Sequence, residues 1–408
     1  MNMKDPTQER IDQTIIEPQS QANLFQKHQN TYKLLTFNMF LRPPLIKNNQ
    51  DDMKNERLSL LLDKIEDYDI LCLQEVHTKH KLIYNSLKKG FLYHAESDDP
   101  TFLDGTLVDG GLLTLSKKPI VYSKFQRFQY GVLSDNIALK GILYTKILIK
   151  QDKQNQNYYL HLFNTHLQAS YIGHETKVKS TVLTRINQLK TLKAFVDVML
   201  AQNYSSDKDL CLIVGDYNVN ALCDGLPISY LEKSKYSYYI LSNNGKSQIT
   251  YGDTVKDQHG KEVLDRNKNQ IPKETVLTDN EDFCSKQCLD YIMVYKPGTL
   301  LGSEQQSFQS KNQNNNDEDY NQNQTQQPQN QNKNRKQSLH DIQNQKYLRY
   351  KDHSTKVQPF FVQEYYRKQN ITVTQISDHY ALECEIEYYK PYKDRKNLEN
   401  NATLQEIK

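Results

Sequence analysis

A chain of 408 residues with 37% hydrophobic content and a mean hydropathy of −0.81 is long enough for one large domain or two ordinary ones. No stretch reaches the roughly 20 apolar residues of a membrane-spanning helix. A net charge of +3, with Lys and Arg scattered rather than blocked, argues against a nucleic-acid partner. The six cysteines do not read as a disulfide framework, because Cys72, Cys211 and Cys384 sit in apolar runs as small buried hydrophobes do. Cys284 and Cys288 are close enough in sequence to pair or to share a metal, and both alternatives stay open.

In chain order, residues 1–30 are polar and lack the apolar centre of a signal peptide, which predicts a disordered tail on a cytoplasmic protein that touches membranes peripherally. Tyr32–Phe40 reads as a first strand. Asn55–Ile65 places Leu58, Leu61, Leu62 and Ile65 at helical spacing. Asp69–Gln74 is a continuous apolar strand, and Lys79–Leu87 reads as a second helix. Gly110-Gly111 leads into a strand over Leu112–Leu115, which Lys117-Lys118-Pro119 closes as a turn. Ile142–Ile149 and Tyr158–Asn164 predict a hairpin around the polar Gln151–Asn157. Thr181–Leu200 is a helix whose stripe is Val182, Ile186, Leu189, Leu192, Phe195, Val196 and Met199. Leu210–Val214, Leu289–Val294 and Ala381–Ile386 read as strands. Residues 302–345, rich in Asn and Gln, cannot bury enough surface to offset their ordering entropy and read as a disordered loop insertion. The insertion does not divide the chain, because the chemistry below needs Asp290 before it and Asp378-His379 after it. The expectation is one catalytic domain over 31–390, interrupted by 302–345, with a polar tail over 391–408. Strands with helices between them imply two sheets with helices outside.

Several strands stop at an acid, an amide or a histidine, which sets polar groups at a sheet rim where metals and phosphates can be held. These endings are Asn38, Gln74-Glu75, Asn164-Thr165-His166, Gly215-Asp216-Tyr217-Asn218, Asp290 and Ser377-Asp378-His379. Together they point to a metal-assisted phosphoesterase. Magnesium takes hard oxygen ligands and keeps several waters, so Glu75 is the first candidate ligand. Asn38 is an amide for metal or phosphate; taken alone it is a turn residue. Asp216 and Asn218, two apart, face the same way if extended and can position a water and a phosphate oxygen; the competing reading is an Asx turn. His379 can take a proton from water near neutral pH if a carboxylate holds its tautomer, and Asp290 is the candidate partner. His166 can donate to charge building on phosphoryl oxygens. Gly110-Gly111 receives no role beyond close packing.

With these residues in place, the chain resembles the endonuclease/exonuclease/phosphatase superfamily from about Tyr32 to Ile386. Within it, Asn164-Thr165-His166-Leu167-Gln168-Ala169, Lys140-Gly141-Ile142-Leu143-Tyr144 and Gly110–Ile120 look similar to the neutral sphingomyelinases. The resemblance implies an α/β four-layer sandwich of two mostly antiparallel β-sheets flanked by helices, as in DNase I. It implies Mg2+, with Mn2+ as a substitute, on Glu75, with Asn38 nearby and Asp378 supporting the metal or the site's hydrogen bonds. It implies His379 as general base held by Asp290, Asp216 and Asn218 orienting water and phosphate, and His166 stabilising the transition state. The reaction implied is hydrolysis of sphingomyelin to ceramide and phosphocholine at a membrane surface. The departures are Tyr217, where Phe or Leu is usual, and the lack of Trp. Met39–Ile46 is a candidate apolar lip for a bilayer. The rival readings are a nuclease or an inositol-phosphate or phosphoinositide phosphatase on the same scaffold, and a catalytically silent lipid-binding protein.

Overall fold

The computed structural model describes residues 30–43, 52–77, 80–87, 90–100, 106–129, 131–170, 175–201, 203–222, 237–240, 248–279, 282–296 and 347–389. Residues 1–29 of the expected tail, the 302–345 insertion and the 391–408 tail lie outside them. In chain order the elements are β1 (Thr31–Asn38), α1 (Lys54–Leu62), β2 (Ile70–Gln74), α2 (His80–Leu87), β3 (Tyr93–Glu96), β4 (Leu113–Ser116), β5 (Ile120–Arg127), β6 (Gly141–Gln151), β7 (Asn157–His166), α3 (Glu175–Ala201), β8 (Leu210–Asp216), β9 (Ser237–Ile240), β10 (Asp290–Lys296), β11 (Leu348–Tyr350), β12 (Lys356–Gln358), β13 (Phe361–Tyr366), β14 (Ile371–Gln375) and β15 (Ala381–Tyr388).

The first sheet runs β11-β15-β1-β2-β4-β3, with β12 also on β15; the second runs β5-β6-β7-β8-β10-β9. Each sheet holds one parallel pair, β1–β2 and β7–β8, among antiparallel neighbours. Strand side chains alternate between faces, and that parity sorts the apolar residues into layers. The even-numbered residues Tyr32, Leu34, Ile70 and Cys72 of the first sheet meet Leu160, Leu162, Leu210, Leu212, Val214, Ile292 and Val294 of the second in a central core. The odd-numbered Leu35, Phe37, Leu71 and Leu73 face Leu58 and Leu61 of α1 and Ile83 and Leu87 of α2. On the far side Phe163, Cys211, Ile213 and Met293 pack on Leu189, Leu192, Phe195 and Val196 of α3. The result is the four-layer order helix, sheet, sheet, helix. Burying each of these Leu or Ile side chains contributes about 2 kcal/mol.

The central strands and the helices lie where periodicity places them. β3, β5, β13 and β14 were not legible: β5 is half-exposed along its length and β13 mostly exposed, so neither carries a clean apolar alternation. α3 begins at Glu175, before the first residue of its stripe. The lip expected of Met39–Ile46 is not at the surface where it is described, since Met39, Phe40 and Leu41 are buried in the core; residues 44–46 lie outside the described residues. Cys284 and Cys288 are both free thiols.

Gly215 is needed within β8 for the close approach of β7. Its φ is +133°, and a Cβ there would lie 1.9 Å from the Thr165 carbonyl oxygen of β7. Gly215→Ala is expected to destabilise the fold by about 3 kcal/mol through a forced parting of β7 and β8, read as a lowered urea midpoint; an unchanged midpoint would contradict this packing.

Candidate active site at the sheet rim

The inward parity that supplies Leu and Ile along the central core supplies polar residues at one end of it. Asn38 and Gln74 end β1 and β2 in register with each other. Asn164 and His166 end β7, and His166 pairs with Asp216 of β8, which pairs with Asp290 of β10. Both rows point into the gap between the sheets, so this end is a polar cleft and not a continuation of the core.

Its floor is a bridge between the sheets. Gln74 Nε2 donates to Asn164 Oδ1 at 2.8 Å and to Thr36 Oγ1 at 3.0 Å, while Asn164 Nδ2 donates to the Leu73 carbonyl at 3.1 Å. Directly above, the two hydrogens of the Asn38 amide go to Glu75 Oε1 at 3.0 Å and to Asp216 Oδ2 at 2.9 Å. Its Oδ1 accepts from the Phe40 N–H at 3.0 Å, which fixes the amide's orientation. Asn38 therefore turns nitrogen, not oxygen, toward the two carboxylates.

His379 Nδ1 lies 2.9 Å from Asp290 Oδ2, and its Nε2 lies 3.8 Å from Asp216 Oδ2. His166 Nε2 is 3.6 Å from Asp216 Oδ2 and 3.8 Å from Glu75 Oε1. Glu75, His166 and Asp216 form one group whose ligand atoms lie within 4.8 Å of one another, and Asp216, Asp290 and His379 form a second. Asp378 belongs to neither group; its Oδ1 lies 3.2 Å from Ser377 Oγ, on the side of the neighbouring cavity. Asn218 does not extend from Asp216. Its φ is +50°, its N–H donates to Asp216 Oδ1 at 2.8 Å, and its Nδ2 donates to the Leu167 carbonyl at 3.2 Å. The Asx turn prevails over the extended reading because the strand's last ladder residue is Asp216.

Backbone conformation at the rim is unusual for these residue types. Glu75 and Phe40 have φ of +51° and +49°, sparsely allowed for side chains of their size. The bonds Met39 N to Gln74 O and Leu41 N to Glu75 O, both 2.9 Å, extend the β1–β2 ladder past the strand ends and hold them. Gly111 permits this, since a Cβ there would meet His77 at 2.9 Å and the Glu75 Cα at 3.2 Å. The buried Arg57 guanidinium donates to four carbonyls, of Met39, Phe40, Asp52 and Ile376, and so ties the segment after Asn38 to the one leading into Ser377-Asp378-His379.

Burial and crowding set the ionisation. Burial raises Asp216 to about 6, with Asp290 adding to the rise and His379 and the Asn38 bond opposing it. Burial raises Asp378 to about 7, assisted by Glu75 and Glu274. Burial lowers His379, but Asp290, Asp378 and Asp216 outweigh it and hold the imidazole well above its ordinary value. Burial, then the charge of Lys140, holds His166 well below its ordinary value. The cleft is thus short of positive charge, and Asp290 Oδ1 is buried without a partner. Carboxylate oxygens from both sheets, one of them unfilled, fit a hard cation.

In sequence, Gln74 and Asn164 stand out only as members of strand endings and Lys140 only as part of a motif, and Arg57 does not stand out at all. Lys140 Nζ lies 3.1 Å from His166 Nε2 and donates to Asp135 Oδ2 at 2.8 Å and the Leu167 carbonyl at 2.9 Å. Its signal was a lysine beside an inward-facing strand start. Arg57 had none, because it lies within an ordinary helical pattern.

The family model described as Endonuclease/Exonuclease/phosphatase family matches residues 35–308. The chain belongs to this family. Among endonuclease/exonuclease/phosphatase relatives it is 28% identical to a sphingomyelinase of Dictyostelium discoideum, over 88% of this chain and 99% of that one. It is 29% identical to sphingomyelinase C of Bacillus cereus, over 50% of this chain and 61% of that one. Beta toxin of Staphylococcus aureus shares the fold, with 18% identity, a TM-score of 0.54 and coverage of 88% of this chain and 100% of that one. A second beta-toxin structure, which has bound magnesium ions, gives a TM-score of 0.50.

Because Asp290 is the first of the charges that lift His379, Asp290→Asn is expected to lower the imidazole pKa of the metal-free protein. A histidine-resolved NMR titration measures it; an unmoved or raised value would contradict the pairing.

Proposed function

We propose that the chain is a magnesium-dependent phosphodiesterase of the sphingomyelinase type, which hydrolyses the ceramide phosphodiester of a sphingophospholipid at a membrane surface. The observation that carries this reading is the His379–Asp290 pair at 2.9 Å, whose free Nε2 faces the carboxylate group around Asp216. The sphingomyelinase names of the Dictyostelium and Bacillus relatives supply the substrate class.

In this proposal His379, neutral once bound magnesium would offset the carboxylate charge that lifts its pKa, takes a proton from water through Nε2 as the water oxygen attacks phosphorus in line; the ceramide oxygen leaves from the opposite side and takes a proton from solvent. Asp290 keeps the Nδ1–H tautomer and stabilises the imidazolium that forms. Glu75 would hold magnesium, with Asp216 beside it. Magnesium, when bound, polarises the phosphoryl oxygen and offsets its charge. Asn38 keeps Glu75 and Asp216 at a fixed separation, a bridging role in place of the ligand role first expected of it. Asn218, partly exposed beside Asp216, would offer its side-chain oxygen to the phosphate or its water. His166, a neutral imidazole, can give a hydrogen bond where phosphoryl charge grows, and Lys140 beside it adds the positive potential. Asp378 acts beside His379 and not on the metal.

Contact with lipid is assigned to the β13–β14 pair. Phe361 and Tyr365 are exposed there, Arg367 and Lys368 occupy its turn, and its end runs directly into Ser377-Asp378-His379. No described helix is long and apolar enough to cross a membrane.

His379→Ala and Glu75→Ala are each expected to reduce release of phosphorylated headgroup from sphingolipid vesicles by about a thousandfold or more, with the urea midpoint retained. Chelation by EDTA is expected to do the same to the wild type, and added magnesium to restore it. Near-normal turnover by either variant, or in EDTA, would refute the assignment.

A further inference from the structure

The Arg57 guanidinium has no part in the chemistry above. It is 0% exposed, and among the described residues it makes no ion pair. Burial pulls it down to about 10, with Asp378, Asp52 and Glu274 opposing the fall, so it stays charged at neutral pH. Such a group is a poor fastening for the fold, because a dry charge loses hydration that an apolar side chain of similar volume would not. What an arginine supplies instead is a planar set of five N–H bonds that holds several oxygens at fixed points.

All four of its hydrogen bonds go to backbone carbonyls outside α1. Nε donates to Asp52 at 2.6 Å, Nη1 to Met39 at 3.0 Å and Ile376 at 2.6 Å, and Nη2 to Phe40 at 2.7 Å. Two of the segments so joined carry working parts of the rim. Phe40 has its φ at +49°, and its N–H donates to Asn38 Oδ1 at 3.0 Å, the bond that aims the Asn38 amide at Glu75 and Asp216. Ile376 precedes Ser377, whose Oγ donates to the Asn38 carbonyl at 2.7 Å and accepts from the His379 N–H at 3.2 Å. Arg57 and Ser377 thus close a circuit of hydrogen bonds between the carboxylate bridge and the backbone of the base.

We propose that Arg57 and Ser377 are positioning residues for the reaction: without touching substrate, they fix His379 relative to the Glu75 and Asp216 carboxylates. The proposal rests on the reading of this rim as a metal-assisted phosphodiesterase site. A lysine at position 57 would keep the charge but bring its three donors from a single nitrogen. That is too few, and too close together, for four carbonyls spread over three segments.

Turnover of sphingolipid vesicles, magnesium binding by calorimetry and the urea midpoint, all on the full chain, test it. At saturating magnesium, Arg57→Lys is expected to lower kcat about a hundredfold and to leave KM within about twofold of wild type, the scale of a misplaced reacting group. It is also expected to weaken magnesium binding about tenfold, as loss of a group that orients a metal ligand does. Leu58→Ala, which thins the apolar layer of the same helix, controls for helix stability: it is expected to lower the urea midpoint while kcat stays within about twofold. If Arg57→Lys does not fold, Ser377→Ala is expected to show the same losses of kcat and magnesium affinity. Near-normal kcat in the folded variant would overturn the proposal. So would a loss in Leu58→Ala as large as in Arg57→Lys, because the arginine would then serve only the fold. If the wild type turns over no phosphodiester lipid, the proposed function falls and magnesium affinity alone decides the positioning role. Equal affinity in wild type and variant, or binding to neither, would then overturn it.

Discussion

One amide holds the candidate site together. Asn38 gives one hydrogen to Glu75 on its own sheet and one to Asp216 on the other, and its oxygen is taken by the chain that follows. Two carboxyl groups from different sheets, Asp216 buried and Glu75 partly exposed, would otherwise repel each other across a gap with few cations. The bridge holds only if both sheets end at the same height, and the Gln74–Asn164 bond one layer below enforces that. Such a network is stabilising only when complete, since each orphaned partner costs about 1–3 kcal/mol. The sandwich therefore acts as a jig that sets the distance between two acids.

The same parity rule accounts for stability and for chemistry. Along β1, β2, β7, β8 and β10, alternate residues face the central core, and the last of each row is polar. α3 follows suit. Its C-terminal half buries Leu189, Leu192, Phe195 and Val196, whereas the half nearer the rim buries Thr181, Thr184, Arg185 and Gln188. Gln188 Oε1 and Arg185 Nη1 engage the Gln168 backbone at 2.8 and 3.0 Å, so the helix supports the loop after His166 as well as the core. Residues that weaken the apolar stripe are the ones that steady the site.

Much of this was legible in the sequence, for a physical reason. A strand buried on both faces reads as an unbroken apolar run, so β2 and β8 were plain and the residues at their ends stood out. The pairing of His379 with Asp290 followed from what a histidine base requires. Elsewhere the signal was absent. The left-handed conformations of Glu75 and Phe40 are imposed by ladder bonds to a neighbouring strand, and neither residue type announces them. Asn218 was ambiguous because Asp-x-Asn suits both an extended pair and an Asx turn. The Met39–Leu41 run read as a surface lip because hydrophobicity alone does not say which side of a sheet a segment leaves on. β13, mostly exposed, carried no clean periodicity, and β14 is an alternation only five residues long, although together they lead straight into His379.

The most direct test of the account is whether the two carboxylates bridged by Asn38 form one cation site. Magnesium binding to the full-length protein, measured by calorimetry in wild type and in Glu75→Gln, decides it. Binding to the wild type is expected, with affinity at least about tenfold weaker in Glu75→Gln and the fold retained. Equal affinity in the two proteins would contradict it, and the rim would then be a structural polar network rather than a metal centre.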